Sequence, residues 1–251
     1  MQFKISSIFG KSKRKRKKVK QSFRETVWEY IKSLAIALVL ALMIKTSIVE
    51  AYKIPSGSME DTLLVGDFLL ANKFIYGMRL PIPFTDIRLP ALREPKPGDI
   101  IIFKYPKDPS VNYIKRCIAT AGQVVEIRNK VVYVDGKVFP DPPHSKHTDP
   151  HIYPAGVYGV RDNMPPTRVP PGMLFMMGDN RDNSADSRFW GFLDRRLVLG
   201  EAMLIHWSWA PDKNAPRLTL SNPLSIPKLL IYDILHFPQR VRWSRLETII
   251  R

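Results

Sequence analysis

Cysteine is nearly absent from this 251-residue sequence, and the presence of only one, Cys117, excludes an intrachain disulfide. A domain exported from the cytoplasm would have to be stable without such a bond, so the cysteine content leaves the compartment open. No internal repeat is evident either. Hydrophobic residues make up 45% of the chain, which is enough to bury the core of one large domain or of two small ones.

Acidic residues are scarce at the N-terminus, where residues 1–32 hold 11 Lys and Arg against two Glu. This difference of +9 leaves only +7 of the net charge of +16 for the rest of the chain. The like charges of residues 11–20 repel one another and predict a solvated tail. Because the tail has no interleaved aromatic residues and no nucleic-acid motif, we predict no nucleic-acid partner and expect anionic lipid instead.

A long apolar run is also lacking, since the uninterrupted stretch 33–44 is shorter than the roughly 20 residues that cross a bilayer. Residues 27–49 are long enough if the aliphatic stems of Lys32 and Lys45 extend toward the two interfaces. The positive-inside rule then places the basic tail in the cytoplasm.

These features predict a basic cytoplasmic tail at 1–26, a transmembrane anchor at 27–49 and a domain at 51–251 on the outer face of the membrane. Two alternatives remain open. The apolar stretch could be a buried core helix, or a cleavable export signal in which the small residues Val49 and Ala51 flank the cut.

Beyond residue 51 the sequence changes to short apolar runs broken by Gly and Pro, which predicts many short strands. The clearest runs are DIIIFKY, VVEIRNKVVYVDGKVF and MLFMM, and Asp135-Gly136 in the second is typical of a hairpin turn. Residues 140–171, rich in Pro, His and Asp, predict an irregular excursion. We therefore predict a mainly β, antiparallel fold.

The segment 54–59, IPSGSM, is the first candidate for chemistry. A serine hydroxyl becomes a useful nucleophile only when a base removes its proton. Gly57 allows the backbone to turn so that the amide of Ser58 and the hydroxyl of Ser56 face a developing oxyanion. Taken alone, the Ser-Gly-Ser sequence is equally typical of an ordinary turn.

A predicted strand at 112–118 supplies a candidate base, because Lys115 and Arg116 point to opposite faces of it. If Lys115 lies on the inner face, burial lowers its pKa, and a neutral amine can accept the proton of Ser58. The competing interpretation is a solvated lysine on the surface of a strand.

A polar loop at 178–188 follows the MLFMM run. Ser184 could hydrogen-bond and orient the amine of Lys115, while Asp186 and Arg188 could form an ion pair that holds the loop. A charged surface turn is the alternative.

Three other features have simpler interpretations. We predict no metal site at His144, His147 and His151, because their irregular spacing in a Pro-rich loop favours solvated side chains. Cys117 is predicted to be a small buried thiol. The C-terminal stretch 226–251 mixes basic with large apolar residues, so it could lie on an anionic membrane surface or pack against the β core.

In this order behind an apolar segment, these motifs resemble bacterial type I signal peptidase, a serine-lysine dyad protease family, from about residue 51 to 211. The shared segments are PSGSM, GDFLLANKF, PGDIIIFKYP, YIKR, MGDNRDNSADSR and VLGEAMLIHWSW. The resemblance implies Ser58 as nucleophile, Lys115 as base, Ser56 with the Ser58 amide as oxyanion hole, and Ser184 as orienter of Lys115. It also implies supporting roles for Asp186 and Arg188 and apolar pocket walls at Tyr52, Ile54, Met59, Leu63, Tyr113 and Ile114.

The resemblance further implies an antiparallel catalytic core with a smaller β-rich insertion at about 124–172, and no cofactor. The expected partners are exported preproteins, cut after small residues because a shallow pocket excludes large ones. The expected location is the bacterial inner membrane, with one span and the catalytic domain on the outer face.

This sequence departs from the family pattern in two places. ATAGQ at 119–123 stands where the pattern is closer to Leu-Pro-Gly-Asp, and Glu60-Asp61 replaces residue-Pro after the nucleophilic Ser-Met. Two other functions are alternatives: a soluble, self-cleaving serine-lysine regulator of the repressor type, against which the predicted anchor argues, and a membrane-tethered binding protein that is not an enzyme.

Overall fold

The computed structural model describes residues 23–47, 49–77, 89–157, 159–216 and 225–250, together with Leu218 and Asn222; for 39–47 only the backbone is described. Most of the predicted basic tail, residues 1–22, lies outside this part. The elements in chain order are α1 (Phe23–Ser47), β1 (Val49–Lys53), β2 (Asp67–Asn72), β3 (Ile100–Tyr105), β4 (Asp108–Thr120), β5 (Val124–Arg128), β6 (Val131–Val134), β7 (Lys137–Val138), β8 (Met164–Arg168), β9 (Met173–Met177), α2 (Ser187–Trp190), β10 (Leu193–Asp194), β11 (Val198–Ser208), α3 (Ser225–Leu235), α4 (Phe237–Arg240) and β12 (Thr248–Ile249).

The helix α1 is 25 residues long and overlaps most of the predicted anchor at 27–49. Among the described residues, no helix combines the length and the hydropathy that crossing a membrane requires.

Eight strands form the larger sheet, in the order β1, β2, β11, β3, β4, β9 and β10, with β12 paired to β11. All of its pairings are antiparallel. The DIIIFKY run supplies β3, whose first four residues are buried, and MLFMM supplies β9. The predicted mainly β, antiparallel fold is confirmed.

The chain segment that joins β4 to β9 forms a second sheet of four strands, in the order β7, β6, β5 and β8. Its hairpin at Asp135-Gly136 has positive φ at both residues, as a two-residue turn of the primed type requires. A second turn of this kind, at Asn129-Lys130, joins β5 to β6 and was not foreseen in the sequence.

The apolar side chains that support the functional region form two clusters on the larger sheet. One lies beneath the IPSGSM segment and joins Ile54, Met59 and Leu63 to residues of β2 and β11. The other contains Cys117 together with residues of β3 and β9. Cys117 is buried as predicted, and burial raises the pKa of its thiol to about 12, which leaves it unreactive at neutral pH.

Candidate active site

Ser58 lies in a single 3₁₀ turn, Gly57–Met59, that is held at both ends by buried residues. Before the turn, the Ile54 amide donates to the Asp67 carbonyl at 2.8 Å. After it, the side chain of Met59 is fully buried, and its carbonyl accepts from the Leu63 amide. The serine is therefore presented on a short turn whose flanks belong to the core.

Lys115 reaches this turn from the middle of β4, and its Nζ lies 2.7 Å from Ser58 Oγ. The residue is only 3% exposed. Burial lowers the pKa of Lys115 from 10.5 to about 8, although the carboxylates of Asp186 and Asp179 act in the opposite direction. Nζ also donates to the Ile114 carbonyl at 3.0 Å. A substantial neutral fraction near neutral pH makes this amine able to accept the proton of Ser58.

The two other predicted serines lie close to the pair without bonding to the lysine. Ser56 Oγ is 3.5 Å from Ser58 Oγ, at the limit of a hydrogen bond. Ser184 Oγ is buried and has no hydrogen-bond partner among the described residues, so no bond to Lys115 is present.

The loop after β9 packs directly against the serine turn. The Asn180 amide donates to the Ser58 carbonyl at 3.2 Å, and Asn180 Nδ2 donates to the Gly57 carbonyl at 3.1 Å. A Cβ atom at Gly178 would lie well inside van der Waals contact of the Ser58 carbonyl oxygen and 2.6 Å from Ser184 Cβ. Only glycine fits at this position.

A buried ion pair anchors the same loop to β4. Arg116 binds Asp179 through two hydrogen bonds, Nε to Oδ1 at 2.8 Å and Nη2 to Oδ2 at 2.7 Å. Thr62 Oγ1 donates to Asp179 Oδ2 at 2.6 Å, which ties in the segment that follows the serine turn. Asp179 thus joins the strand of the lysine to the segment of the serine.

Asp186 and Arg188 form the ion pair that the sequence predicted, and both are buried. Asp186 Oδ2 also accepts from the Gly178 amide at 3.1 Å. Arg188 donates to the carbonyl of Arg181 at 2.6 Å and to that of Arg161 at 3.0 Å. The pair therefore fixes both the start and the middle of the loop.

A cleft of about 380 Å³ opens beside the serine. Of the predicted pocket walls, only Tyr113 and Ile114 line it. Ile54, Met59 and Leu63 lie in the core beneath the turn, and the Tyr52 hydroxyl donates to Glu50 Oε2 at 2.6 Å. The complete lining is Pro55, Ser56, Gly57, Ser58, Val111, Asn112, Tyr113, Ile114, Lys115, Asn183 and Ala185.

The acidic departure at Glu60-Asp61 has a local partner in Lys146. Lys146 Nζ lies 3.0 Å from Glu60 Oε2 and 3.3 Å from Asp61 Oδ2, while its amide donates to the Asp179 carbonyl at 2.9 Å. Asp61 has φ 75°, a conformation that the fixed φ of a proline forbids. The irregular excursion thereby contacts both the serine segment and the loop.

Two histidines of that excursion, His147 and His151, lie near carboxylates. His147 is 3.6 Å from Asp141 and 3.7 Å from Asp182, and His151 is 3.0 Å from Asp149. In the part of the chain that the structure describes, no group of three or more His, Cys, Asp or Glu side chains is placed to hold a metal ion.

Sequence reasoning missed several residues that shape this site. Gly178, Asp179 and Asn180 belong to the MGDN motif, which was noted only as part of a polar loop. A glycine directly after a buried strand is a signal that another backbone segment approaches closely at that position. Nothing in the sequence links Arg116 to Asp179, because the two partners lie 63 positions apart.

The chain is similar to known signal peptidases over most of its length. Residues 27–207 match the family model described as signal peptidase, peptidase S26. Signal peptidase I of Pseudomonas aeruginosa is 36% identical over 212 residues, which cover 74% of each chain. Signal peptidase I of Aquifex aeolicus is 33% identical over 255 residues, covering 82% of this chain and 93% of that protein. The crystal structure of a signal peptidase I from Enterococcus faecalis matches with a TM-score of 0.35 and 28% identity, covering 43% of this chain and 97% of that one.

Proposed function

Since this chain belongs to the signal peptidase family, peptidase S26, we propose that it is a membrane-bound serine endopeptidase that cuts exported preproteins with a Ser58/Lys115 dyad. Membership of the family makes it a hydrolase that removes signal peptides, and the resemblance noted in the sequence is confirmed at the level of the family. The dyad, the membrane attachment and the preference for small residues are the proposed parts.

The observation that carries the dyad is the 2.7 Å contact between Lys115 Nζ and Ser58 Oγ in a buried site. The neutral amine takes the hydroxyl proton as Oγ attacks the scissile carbonyl. The resulting ammonium then protonates the leaving amine, and the free amine activates the water that hydrolyses the acyl-enzyme. The Ser58 amide and the Ser56 hydroxyl stabilise the oxyanion.

Three further residues position this pair. We assign Ser184 as the orienter of Lys115, because its buried hydroxyl lacks a partner among the described residues. Catalytic hydrogen bonds that are long in a free enzyme tighten in the complex with substrate. Asp186 and Arg188 are supporting residues, since their ion pair holds the Gly178 amide that lies behind the Ser58 carbonyl.

The preprotein binds as an extended segment along β4. This strand pairs with β9 only from Arg116 onward, and residues 111–114 border the cleft before that point. A peptide added at this edge gains main-chain hydrogen bonds, while side chains before the cut face Tyr113 and Ile114. We propose that the space between these two side chains admits only small residues such as alanine.

We place residues 27–49 across the bacterial inner membrane, the tail 1–26 in the cytoplasm, and the catalytic domain 51–251, with its insertion at about 124–172, on the outer face. The charge of +9 in residues 1–32 supports this orientation. Ser58 follows the proposed span by nine residues, so the nucleophile stays near the interface where a signal peptide ends.

The pH dependence of cleavage should follow the titration of Lys115. Because burial lowers the pKa of its amine to about 8 and only the neutral form is a base, kcat/KM should rise tenfold per pH unit below about pH 8 and level off above it. A pH–rate profile between about pH 6 and pH 10 measures this limb. A profile that is flat or falls across this range contradicts a neutral lysine base.

Cleavage of a preprotein in detergent tests the proposed function. With alanine at the position before the junction and at the third position before it, we expect one cut, after the alanine at the junction. A matched preprotein with leucine at the position before the junction should be cut at least about tenfold more slowly. A Ser58→Ala preparation is the blank for contaminating peptidases. Cutting elsewhere, or equal rates for the two substrates, would contradict the proposal.

A further inference from the structure

The carboxylate of Glu60 lies against the turn that carries Ser58. Asn180 Nδ2 donates to Glu60 Oε2 at 3.3 Å, and the same nitrogen donates to the Gly57 carbonyl at 3.1 Å. A Cβ atom built on Gly57 would lie 3.5 Å from Glu60 Oε2. The side-chain amide of Asn180 therefore binds the serine turn and this carboxylate together.

A carboxylate held in this way is stable there only beside a cation. The Glu60 side chain is 44% exposed, so it could turn into water, where an isolated charge is best solvated. Lys146 supplies the cation, since its Nζ lies 3.0 Å from Glu60 Oε2 and 3.3 Å from Asp61 Oδ2. The pKa of Lys146 is raised, first by its hydrogen bond with Glu60 and also by that with Asp61, so its ammonium is charged at neutral pH.

The main chain of Lys146 is fixed to the polar loop. Its amide donates to the Asp179 carbonyl and its carbonyl accepts from the Arg181 amide, both at 2.9 Å. These two bonds form a short parallel bridge opposite Asn180. The ammonium is thus anchored on the same loop whose Asn180 amide donates to the Ser58 carbonyl at 3.2 Å.

The ion pair between Lys146 and Glu60 lies outside the cleft, whose lining includes neither residue. Both side chains are partly exposed, at 27% and 44%, and ion pairs that water reaches contribute little to the free energy of unfolding. Its effect should therefore fall on the position of the serine turn and not on substrate binding or on the stability of the domain.

We propose that Lys146 is a positioning residue for preprotein cleavage, which keeps the Glu60 carboxylate against the serine turn. This inference rests on the proposed function. Without the ammonium, the carboxylate turns toward water, Asn180 Nδ2 loses an acceptor, and the turn that holds Ser58 beside Lys115 loosens. A neutral glutamine in place of Glu60 gains less from water and can still accept from Asn180. Glu60→Gln should therefore repair the loss of Lys146.

Steady-state cleavage of a preprotein by single variants measures this role. Lys146→Met should lower kcat about tenfold and leave KM within about twofold of the wild type, because a small displacement of a reacting group slows the chemical step while the cleft is unchanged. Lys146→Arg keeps the charge and should stay within about threefold of the wild type. Lys137 is exposed in the second sheet, so Lys137→Met is the matched control and should keep the wild-type kcat.

The combined variant Lys146→Met/Glu60→Gln separates positioning from simple support of the fold. Its kcat should be at least about threefold higher than that of Lys146→Met. Simple support predicts the reverse, since removing a second partner adds to the damage. A combined variant no faster than Lys146→Met overturns the proposal, and so does a kcat of Lys146→Met within about twofold of the wild type.

Hydrogen exchange of the same proteins gives a readout that does not depend on activity. The amides of Glu60 and Leu63 donate to carbonyls within the serine segment, to Gly57 and Met59. Peptides covering residues 57–63 should therefore exchange at least about fivefold faster in Lys146→Met than in the wild type or in Lys137→Met.

The two readouts keep this inference apart from the proposed function. Faster exchange in Lys146→Met, in preparations whose wild type never cleaves a preprotein, overturns only the proposed peptidase activity. An active wild type with unchanged exchange in Lys146→Met overturns only the positioning role. Unchanged exchange together with an inactive wild type overturns both.

Discussion

Replacing Lys115 with methionine should lower kcat/KM for preprotein cleavage by at least about 10⁴-fold while the protein stays folded. Methionine fills the buried space with an unbranched apolar chain but cannot accept the proton of Ser58. Burial lowers the pKa of the native amine, so the charged amine destabilises the folded state relative to the unfolded one. Methionine carries no charge and removes this destabilisation. The melting temperature should therefore stay level or rise. Steady-state kinetics and a thermal melt measure the two effects.

Two comparisons separate the loss of a base from a general disturbance. Lys104 is exposed on β3, so Lys104→Met makes the same chemical change outside the cleft and should retain activity. Ser58→Ala should lose as much as Lys115→Met, and the double variant no more than either, because both groups act in one proton transfer. Activity of Lys115→Met within tenfold of the wild type would exclude the dyad.

Gly178→Ala should lower kcat by about 100-fold, since a misplacement of about 1 Å at a reacting group costs this much. The new Cβ would overlap the Ser58 carbonyl oxygen and Ser184, and the first of these is backbone. The loop and the serine turn must then move apart, which shifts Oγ relative to Lys115 Nζ. Single-turnover cleavage at saturating substrate measures the change.

The control is Gly172→Ala, in the turn that leads into β9. Gly172 has φ 73° and open space at the Cβ position, so alanine there strains the backbone without crowding the site. It should cost about 1 kcal/mol of stability and leave kcat near the wild-type value. If Gly178→Ala loses activity only in proportion to its unfolded fraction, close packing behind Ser58 is not what positions the nucleophile.

The roles of Lys115 and Gly178 differ in whether the sequence could predict them. The identity of Lys115 as a candidate base follows from its residue type and its position in a predicted strand. The role of Gly178 came only from the space between two backbone segments 120 positions apart in the chain, Ser58 and Gly178, and no local pattern encodes that distance. Asp179 is a similar case, because its partners Arg116 and Thr62 lie on other elements.

The fold class could be predicted because alternating apolar runs and turn residues act locally. Asp135-Gly136 tolerates positive φ and marked its hairpin, whereas Asn129-Lys130 adopts the same conformation without a glycine and was missed. The pocket walls were less predictable. Ile54 and Met59 flank the nucleophile, yet both side chains turn into the core, since strand and turn geometry decides the face that each residue presents.

By itself, the sequence determined the antiparallel β class, the basic N-terminus and the residue types of a serine-lysine peptidase, because each depends on composition or short-range spacing. The tertiary structure alone decided the burial that lowers the pKa of Lys115, the Arg116–Asp179 pair, and the outward apolar face of α3. These depend on which distant segments meet. From the sequence, residues 226–251 were compatible with packing against the β core or with lying on a membrane surface; the contacts of Tyr232 and Asp233 turn the polar side of α3 inward.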